Sequence, residues 1–478
     1  MRMSFPFDDA YITFRYAENL AQGWGIVWNI HGPPTEGYTN FLLVVVLAPF
    51  AWLGSDLMAV TQVIGIASTV LTALLLFKLV LRFSSNQTSS ILAALLYLFH
   101  PLTWANALNG LETSLFICLV TAGFYFAYEK RWPLAWGFLT LSCLARPDGA
   151  LAGAVLLFAV CFWDPAERTS ALRTAIPFFF LPMAAYVLFK FFYFGSLLPN
   201  SFYVKTGAPT AHGLQNFKGV LRTNVLLLLA AAYAMYRLRD RWKEWLPLAL
   251  WSGGLLLFYL WPDPLQGFYQ RFNWPAIPML IALVALGFSK WNFRSVAVAI
   301  AIVASVIVFH FGPLRRDMAL ATLDEARTIY RELGTALRQM PHRSAITFAY
   351  QDAGAVPYFS QMAHIDLVGL NTTAIARAES DEAAYRALEI AKPELILIPA
   401  FNDRTLCWTV FHDGHGKSGS LIPRLIREPF FARYRCVGKI AYLGYDILCY
   451  ALPDYTAELD RALSSYTWFT PGPIPCLE

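Results

Sequence analysis

Ten apolar stretches fill most of residues 59–311, near 59–80, 89–106, 112–128, 134–145, 149–163, 174–194, 219–237, 245–261, 274–289 and 295–311. In hydrocarbon every backbone N–H and C=O must find its partner inside the protein, which leaves the α-helix as the form for such stretches. A span takes about 20 apolar residues, with about 17 as the lower bound. The expected fold class is a polytopic α-helical membrane protein with about ten transmembrane helices. Composition agrees: 14% of the 478 residues are charged, where soluble domains carry roughly 25%. A net charge of +5, with no basic run or nucleic-acid motif, excludes nucleic acid as a partner. The stretch 41–54 is apolar but short and carries Pro49, so it reads as an interfacial or re-entrant helix.

Lys and Arg orient the spans. Twelve, from Lys78 and Arg82 to Lys290 and Arg294, fall in one set of loops; four, Arg146, Lys205, Lys218 and Arg271, fall in the other. The richer set marks the cytoplasm. The N-terminal segment, the loop 195–218 and everything after residue 312 then face outward. Ten spans with an external C-terminus require an external N-terminus, yet residues 1–38 contain no signal peptide and no apolar helix to carry them across. One more helix upstream, eleven in the full-length form, is the expected resolution.

Three units follow. Residues 1–56 form a first external loop with an interfacial helix, 57–311 a helix bundle, and 312–478 an extracytoplasmic α/β domain. In the last unit, 314–340 reads as an amphipathic helix. Short β-rich runs follow at Ala345–Tyr350, His364–Val368, Leu395–Pro399, Lys439–Tyr442 and Asp446–Leu452, with a helix over Asp381–Ile390. Residues 402–430 read as a long loop. Cys118, Cys143 and Cys161 sit in apolar segments as packing thiols. Cys407, Cys436, Cys449 and Cys476 lie in the polar third, where three disulfide connectivities are open.

Several positions invite chemistry, each with a plainer reading beside it. Asp8 and Asp9 can activate a hydroxyl as general base, or cap the helix that starts at Ala10. One can cap while the other faces a site. Arg146 and Asp148 stand in a charged turn between two spans too short to cross alone. At membrane depth such groups are functional by default, unless they only pair to close the turn. Asn200, Tyr203 and Lys205 can contact a phosphate, although a lone interfacial Lys also snorkels. Arg271, after Gln270, can bind phosphate bidentately or simply mark a membrane edge. Glu112 opens a span where the helix dipole favours an acid anyway. His100 reads as a packing residue.

The order of these motifs resembles the C-type membrane glycosyltransferase superfamily. Asp8-Asp9-Ala10-Tyr11-Ile12, Phe14-Arg15-Tyr16-Ala17, Asn19-Leu20, Gly23-x-Gly25 and Glu36-Gly37-Tyr38-Thr39-Asn40 look like its first external loop. The likeness continues through Gly110-Leu111-Glu112-Thr113, Ala145-Arg146-Pro147-Asp148-Gly149, the run Leu198–Lys205, Arg271-Phe272, Asp352–Tyr358 and Ile365–Leu370. The group most resembled is the mycobacterial terminal β-(1→2) arabinofuranosyltransferases.

The resemblance implies a polyprenyl-phosphate sugar donor, work at the outer face of a bacterial cytoplasmic membrane, and an essential Asp at Asp8 or Asp9. It also implies a helix ahead of the first loop, in agreement with the upstream helix expected from topology. On this reading Asp8 and Asp9 are catalytic, and Lys205, Arg271 and Arg146 take the donor phosphate. Tyr11, Arg15, Glu36, Tyr38, Asn40, Glu112, Asp148, Asn200, Tyr203 and Gln270 form the substrate site, with Phe14 and Tyr16 as further walls for the sugar. Some relatives place a divalent cation at the acids, and adjacent Asp8 and Asp9 permit one. The acceptor is a hydroxyl of a cell-envelope glycan or other molecule. The rival readings are a non-enzymatic transporter or flippase of lipid-linked sugars, which tends to show internal repeats not found here, and a sugar-binding or assembly subunit in which the acids only cap.

Overall fold

The computed structural model describes residues 8–205, 211–260, 268–287, 324–402, 408–410, 418–442 and 445–474. The expected span 295–311, Cys407 and Cys476 lie outside them. Helices dominate up to residue 287: α1 (Ala10–Ala21), α2 (Phe41–Trp52), α3 (Leu57–Ser84), α4 (Gln87–Leu98), α5 (Pro101–Leu108), α6 (Thr113–Tyr128), α7 (Trp132–Ala145), α8 (Gly149–Val160) and α9 (Pro165–Phe194). They continue with α10 (Asn200–Lys205), α11 (Ala211–Thr223), α12 (Val225–Arg237), α13 (Trp242–Phe258) and α14 (Ile277–Gly287).

The expected ten spans are not what the described residues show. Two helices, α3 and α9, are long and apolar enough to cross a membrane, or up to four spans if each bent pair counts as one. The pairs are α4 with α5, bent by 55°, and α11 with α12, bent by 73°. The remaining apolar helices run 10–17 residues. A hydropathy window passes straight over the breaks. Between α4 and α5, Pro101 lacks an N–H and His100 is held extended. Between α7 and α8, Arg146 takes an extended backbone ahead of Pro147. The expected span at 174–194 is instead the second half of a helix that begins at Pro165. Trp136, Trp251, Trp274 and Phe116 fill the bundle interior at under 2% exposure. Cys118 and Cys143 pack there as expected, whereas Cys161 is exposed.

The C-terminal region is an α/β sheet domain. Its strands are β1 (Thr347–Tyr350), β2 (Ala363–Asp366), β3 (Leu395–Asn402), β4 (Trp408–Val410), β5 (Arg435–Tyr442), β6 (Tyr445–Ala451) and β7 (Phe469–Pro471). The order is β2-β1-β3-β6-β5-β7, with β4 on the far part of β3. β1 pairs in parallel with β2 and β3, and the other pairings are antiparallel. One face packs on α15 (Asp324–Arg338) and α16 (Ala355–Ser360), through Leu333, Leu337, Phe348 and Val356. The other packs on α17 (Asp381–Ala391) and α18 (Ser418–Leu425), through Ile365, Leu388, Leu421 and Leu425. The expected loop at 402–430 therefore contains β4 and α18. Both are short, and Pro423 inside α18 hides the helical signal. Cys436 and Cys449 lie on neighbouring strands and are unbridged.

Helix α1 joins the two regions. Buried Arg15 donates from Nε to the Trp28 carbonyl at 2.9 Å, from Nη1 to the Pro357 carbonyl at 2.6 Å, and from Nη2 to the Met362 carbonyl at 2.8 Å and Asn29 Oδ1 at 3.1 Å. Its guanidinium also lies 4.4 Å from the Trp28 ring centre. Tyr358 donates to Glu18, Asn29 exchanges two bonds with the His364 backbone, and Tyr16 donates to Asn371 Oδ1 at 3.1 Å. Asp8 completes the seam. Its carboxylate accepts from the Ala355 N–H at 2.7 Å and the Gly354 N–H at 3.0 Å. A Cβ on Gly354 would fall 2.1 Å from the Asp8 carbonyl oxygen, so only glycine admits this approach.

Two outcomes are expected at this seam. Arg15→Ala removes a cation from four acceptors, two of them across the seam, and should cost about 3 kcal/mol or more, read as a lower thermal midpoint of the detergent-solubilised protein; Arg15→Lys should not restore it, because an ammonium cannot reproduce the planar fork. Burial, then the field of Asp352, pushes the Asp8 carboxyl up to about 8 from 3.8. The folded state thus binds a proton that the unfolded chain has released, and Asp8's contribution is full below 3.8 and lost as pH rises through about 8. The midpoint of the wild type should fall relative to Asp8→Asn between pH 5 and 8; parallel curves would show that Asp8 does not titrate there.

Candidate functional site

The pocket forms where the N-terminal ends of α1, α2 and α6 meet α10 and the turn before α14. Asp9, Thr13, Tyr38, Asn40, Glu112, Lys205, Arg271 and Phe272 all line it, together with Ser201 and Leu370. Its volume is about 80 Å³. Ligand pockets usually span about 300–1,000 Å³, so this one accepts the head of a ligand and not a whole lipid-linked sugar.

The two acids diverge. Asp9 occupies the N-cap position of α1 but its side chain makes no capping bond. It pairs instead with Arg271, Oδ2 to Nη2 at 2.7 Å. Asp8 turns the other way, onto the Gly354 and Ala355 amides. The expectation of a cation shared by Asp8 and Asp9 is not met by this arrangement. Among the described residues no group of three or more His, Cys, Asp or Glu is placed to hold a metal ion.

Arg271 is held by its own main chain. Tyr269 and Gln270 before it both have φ of 53°, a left-handed backbone that costs a non-glycine residue about 1 kcal/mol or more. Asn106 donates to the Tyr269 carbonyl at 3.2 Å, and Gln270 Nε2 donates to Thr223 at 3.1 Å. Arg146 Nη1 donates to the Arg271 carbonyl at 3.0 Å. Arg146 itself is 3% exposed and bound twice to Asp148, at 3.0 and 2.7 Å, with Tyr259 bridging the two. The structure does not bring Arg146 or Asp148 to the pocket wall. They stand behind Arg271 as a neutral buttress.

Phe272 is flanked by cations. The Arg271, Lys205 and Arg146 charges lie 4.8, 5.4 and 5.6 Å from its ring centre. On the opposite wall, Asn40 donates to Glu112 Oε2 at 3.0 Å and to Thr13 at 2.9 Å. The loop that carries Tyr38 and Asn40 is pinned from behind. Glu36 pairs with Lys190 of α9 at 3.0 Å, and the Glu36 carbonyl accepts the Asn200 N–H at 3.0 Å. Burial pushes the Glu36 carboxyl up to about 7 despite that lysine. A Cβ on Gly37 would fall 1.9 Å from Asn371 Oδ1, so the loop lies directly against the sheet domain.

The remaining expected residues serve elsewhere. Tyr11 packs on Tyr358 and Phe359 at 5.2 Å, and Arg15 is the seam clamp. Glu36 and Gln270 position the wall instead of lining it. Asn200 donates to the Leu370 carbonyl and Thr373 of the sheet domain. Tyr203 lies 5.2 Å under the Arg377 guanidinium and is exposed. Of the aromatic walls expected for the sugar, Tyr38 lines the pocket, whereas Phe14 and Tyr16 pack in the N-terminal core. Sequence reading passed over Lys190. A buried lysine inside a 30-residue apolar helix carries its own functional signal. Asn106 gave no such signal, because an asparagine in an apolar run has no fixed partner until the chain folds.

Residues 319–457 match a family model described as a domain of unknown function, DUF8728. No curated protein matches the chain. Solved structures match over almost its whole length. ArnT from Cupriavidus metallidurans bound to undecaprenyl phosphate aligns with a TM-score of 0.56 at 13% identity, covering 93% of this chain and 94% of that one. The archaeal oligosaccharyltransferase AglB from Archaeoglobus fulgidus, in complex with an inhibitory peptide and a dolichol-phosphate, aligns with a TM-score of 0.53 at 14% identity, covering 93% and 70%. At such identities the shared property is the fold alone: a helical N-terminal region followed by a sheet domain.

Proposed function

We propose that the protein is a membrane glycosyltransferase that moves a sugar from a polyprenyl-phosphate donor to an acceptor hydroxyl. The observation that carries this reading is the Asp9–Arg271 pair in a pocket also lined by Lys205 and Glu112. A general base and two fixed cations within one small cleft are what glycosyl transfer from a phosphate requires. The neighbours' bound undecaprenyl phosphate and dolichol-phosphate support the donor class.

The donor phosphate competes with Asp9 for Arg271. Its arrival takes the guanidinium and releases the carboxylate. The acceptor oxygen attacks the anomeric carbon, the bond from that carbon to the phosphate oxygen breaks, and the electron pair leaves with the phosphate. Asp9 takes the hydroxyl proton, while Arg271 and Lys205 carry the charge on the departing group. Asn40 and Glu112 hold sugar hydroxyls and Tyr38 covers a ring face. Asp8 docks the sheet domain and takes no part in the proton transfer. Arabinofuranose is the sugar suggested by the motifs of the first external loop, the acceptor is a cell-envelope glycan, and the reaction runs on the outer face of a bacterial cytoplasmic membrane.

Transfer of radiolabelled sugar from a polyprenyl-phosphate donor by the purified protein tests the reading, and no transfer with any such donor would reject it. Asp9→Asn should lower turnover by roughly 10²–10⁴-fold, more than any loss of thermal midpoint from the unpaired Arg271 accounts for. Asp8→Asn should retain turnover within about tenfold at pH 7; the reverse ranking would exchange the two roles. Arg146→Lys keeps the charge but loses the fork that holds Asp148 and the Arg271 carbonyl. It should weaken donor use by about tenfold or more, read as kcat/KM, and leave acceptor KM unchanged.

A further inference from the structure

The far end of the bundle holds a second cavity of about 350 Å³. Helix α6 starts beside Glu112 in the first pocket and ends at Tyr128 in this one. Its 16 residues rise about 24 Å. The hydrocarbon core of a bilayer is about 30 Å thick, so this cavity lies near the opposite membrane boundary. Phe83, Tyr128, Phe162 and Trp163 line it. Tyr128 sits at their centre, 4.8 Å from Phe83 edge-on and 5.9 Å from Trp163.

The charges around these rings are balanced. Lys130 pairs with Glu167 at 2.9 Å, Arg82 with Glu129 at 3.2 Å, and Glu244 with Arg241 at 2.5 Å. Two lining charges have no ion pair among the described residues: Asp164 and Lys243. Asp164 stands at the N-cap of α9, yet its side chain makes no capping bond. Lys243 lies 6.0 Å from the Trp242 ring, which packs on Phe162 at 5.3 Å.

One uncommitted acid, one uncommitted base and an aromatic wall suit a ligand that carries both signs a few bonds apart. Ammonium groups are drawn to aromatic faces and carboxylates, and phosphates to lysine. Anionic lipids are usually recognised by about 4–8 clustered Lys and Arg. Arg82, Lys130 and Lys243 here face Asp164, Glu167 and Glu244, which disfavours a purely anionic headgroup. At a membrane boundary the abundant zwitterion is the bilayer itself. We propose that this cavity binds the headgroup of a zwitterionic phospholipid, its ammonium against the rings and Asp164 and its phosphate on Lys243. The site is independent of the transfer reaction.

Native mass spectrometry of the full-chain protein in detergent, with phosphatidylethanolamine or phosphatidylglycerol added at equal concentration, tests this. The wild type should retain phosphatidylethanolamine at least about fivefold better. Asp164→Asn should cut that retention by about threefold or more without lowering phosphatidylglycerol binding, and Lys243→Gln should weaken both lipids. Both side chains are exposed, so the variants should melt with the wild type. Equal retention of the two lipids, preference for phosphatidylglycerol, or phosphatidylethanolamine binding unchanged in both variants would overturn the proposal.

Discussion

The buried guanidinium of Arg15 ties the N-terminal helix to a sheet domain by four hydrogen bonds, two of which reach carbonyls on the far side of the seam. Burial alone is unfavourable for such a charge and pulls its pKa down to about 10. The carbonyls around it offset that cost only while they all stay in place. That condition makes the seam cooperative: α1, the turn at Trp28–Asn29 and the segment Pro357–Met362 hold together or separate together. The pocket inherits this, because Asp9 and Thr13 project from the same helix.

Within the pocket the distribution of charge matters more than its sum. Arg271 and Lys205 on the pocket wall, with Arg146 behind them, gather around the Phe272 ring, whose faces suit cations. Arg146 is neutralised by Asp148, and Arg271 by Asp9. An anion that enters finds one cation whose partner must be displaced. A pocket poised this way resists idle anions and responds only to one that brings enough binding energy of its own to displace Asp9.

Much of this was legible in the sequence as residue types and order. Asp9, Asn40, Glu112, Lys205 and Arg271 come from distant segments, and each stood in a short polar island within apolar surroundings, a pattern that reveals depth and polarity. Partners were not legible. Arg15 and Asp148 carry the same island signature as Arg271 but bind protein groups, because which charge meets which carbonyl depends on packing that local sequence does not encode. The span count is not confirmed among the described residues for a related reason. Hydropathy averages over His100-Pro101 and Thr223-Asn224, whereas the backbone turns sharply there. In the sheet domain, β1, β3 and β6 were readable from their β-branched and aromatic runs. β4 spans three residues and depends on β3 for its existence.

The pairing of Asp8 with Asp9 acquires a physical sense from their divergence. Adjacent residues at the start of a helix point about 100° apart, so one can leave toward the sheet domain while its neighbour enters the cleft. Asp8 reads the position of Gly354 and Ala355, and Asp9 meets Arg271, with one peptide unit between them. A peptide unit is rigid. A movement of the sheet domain that shifts Gly354 therefore pulls on the Asp8 carboxylate right next to Asp9. The glycine at 354 makes that linkage tight, since its lack of a side chain lets the two backbones touch. A displacement of the sheet domain would therefore be felt one residue away from the Asp9–Arg271 pair, with no contact inside the cleft itself.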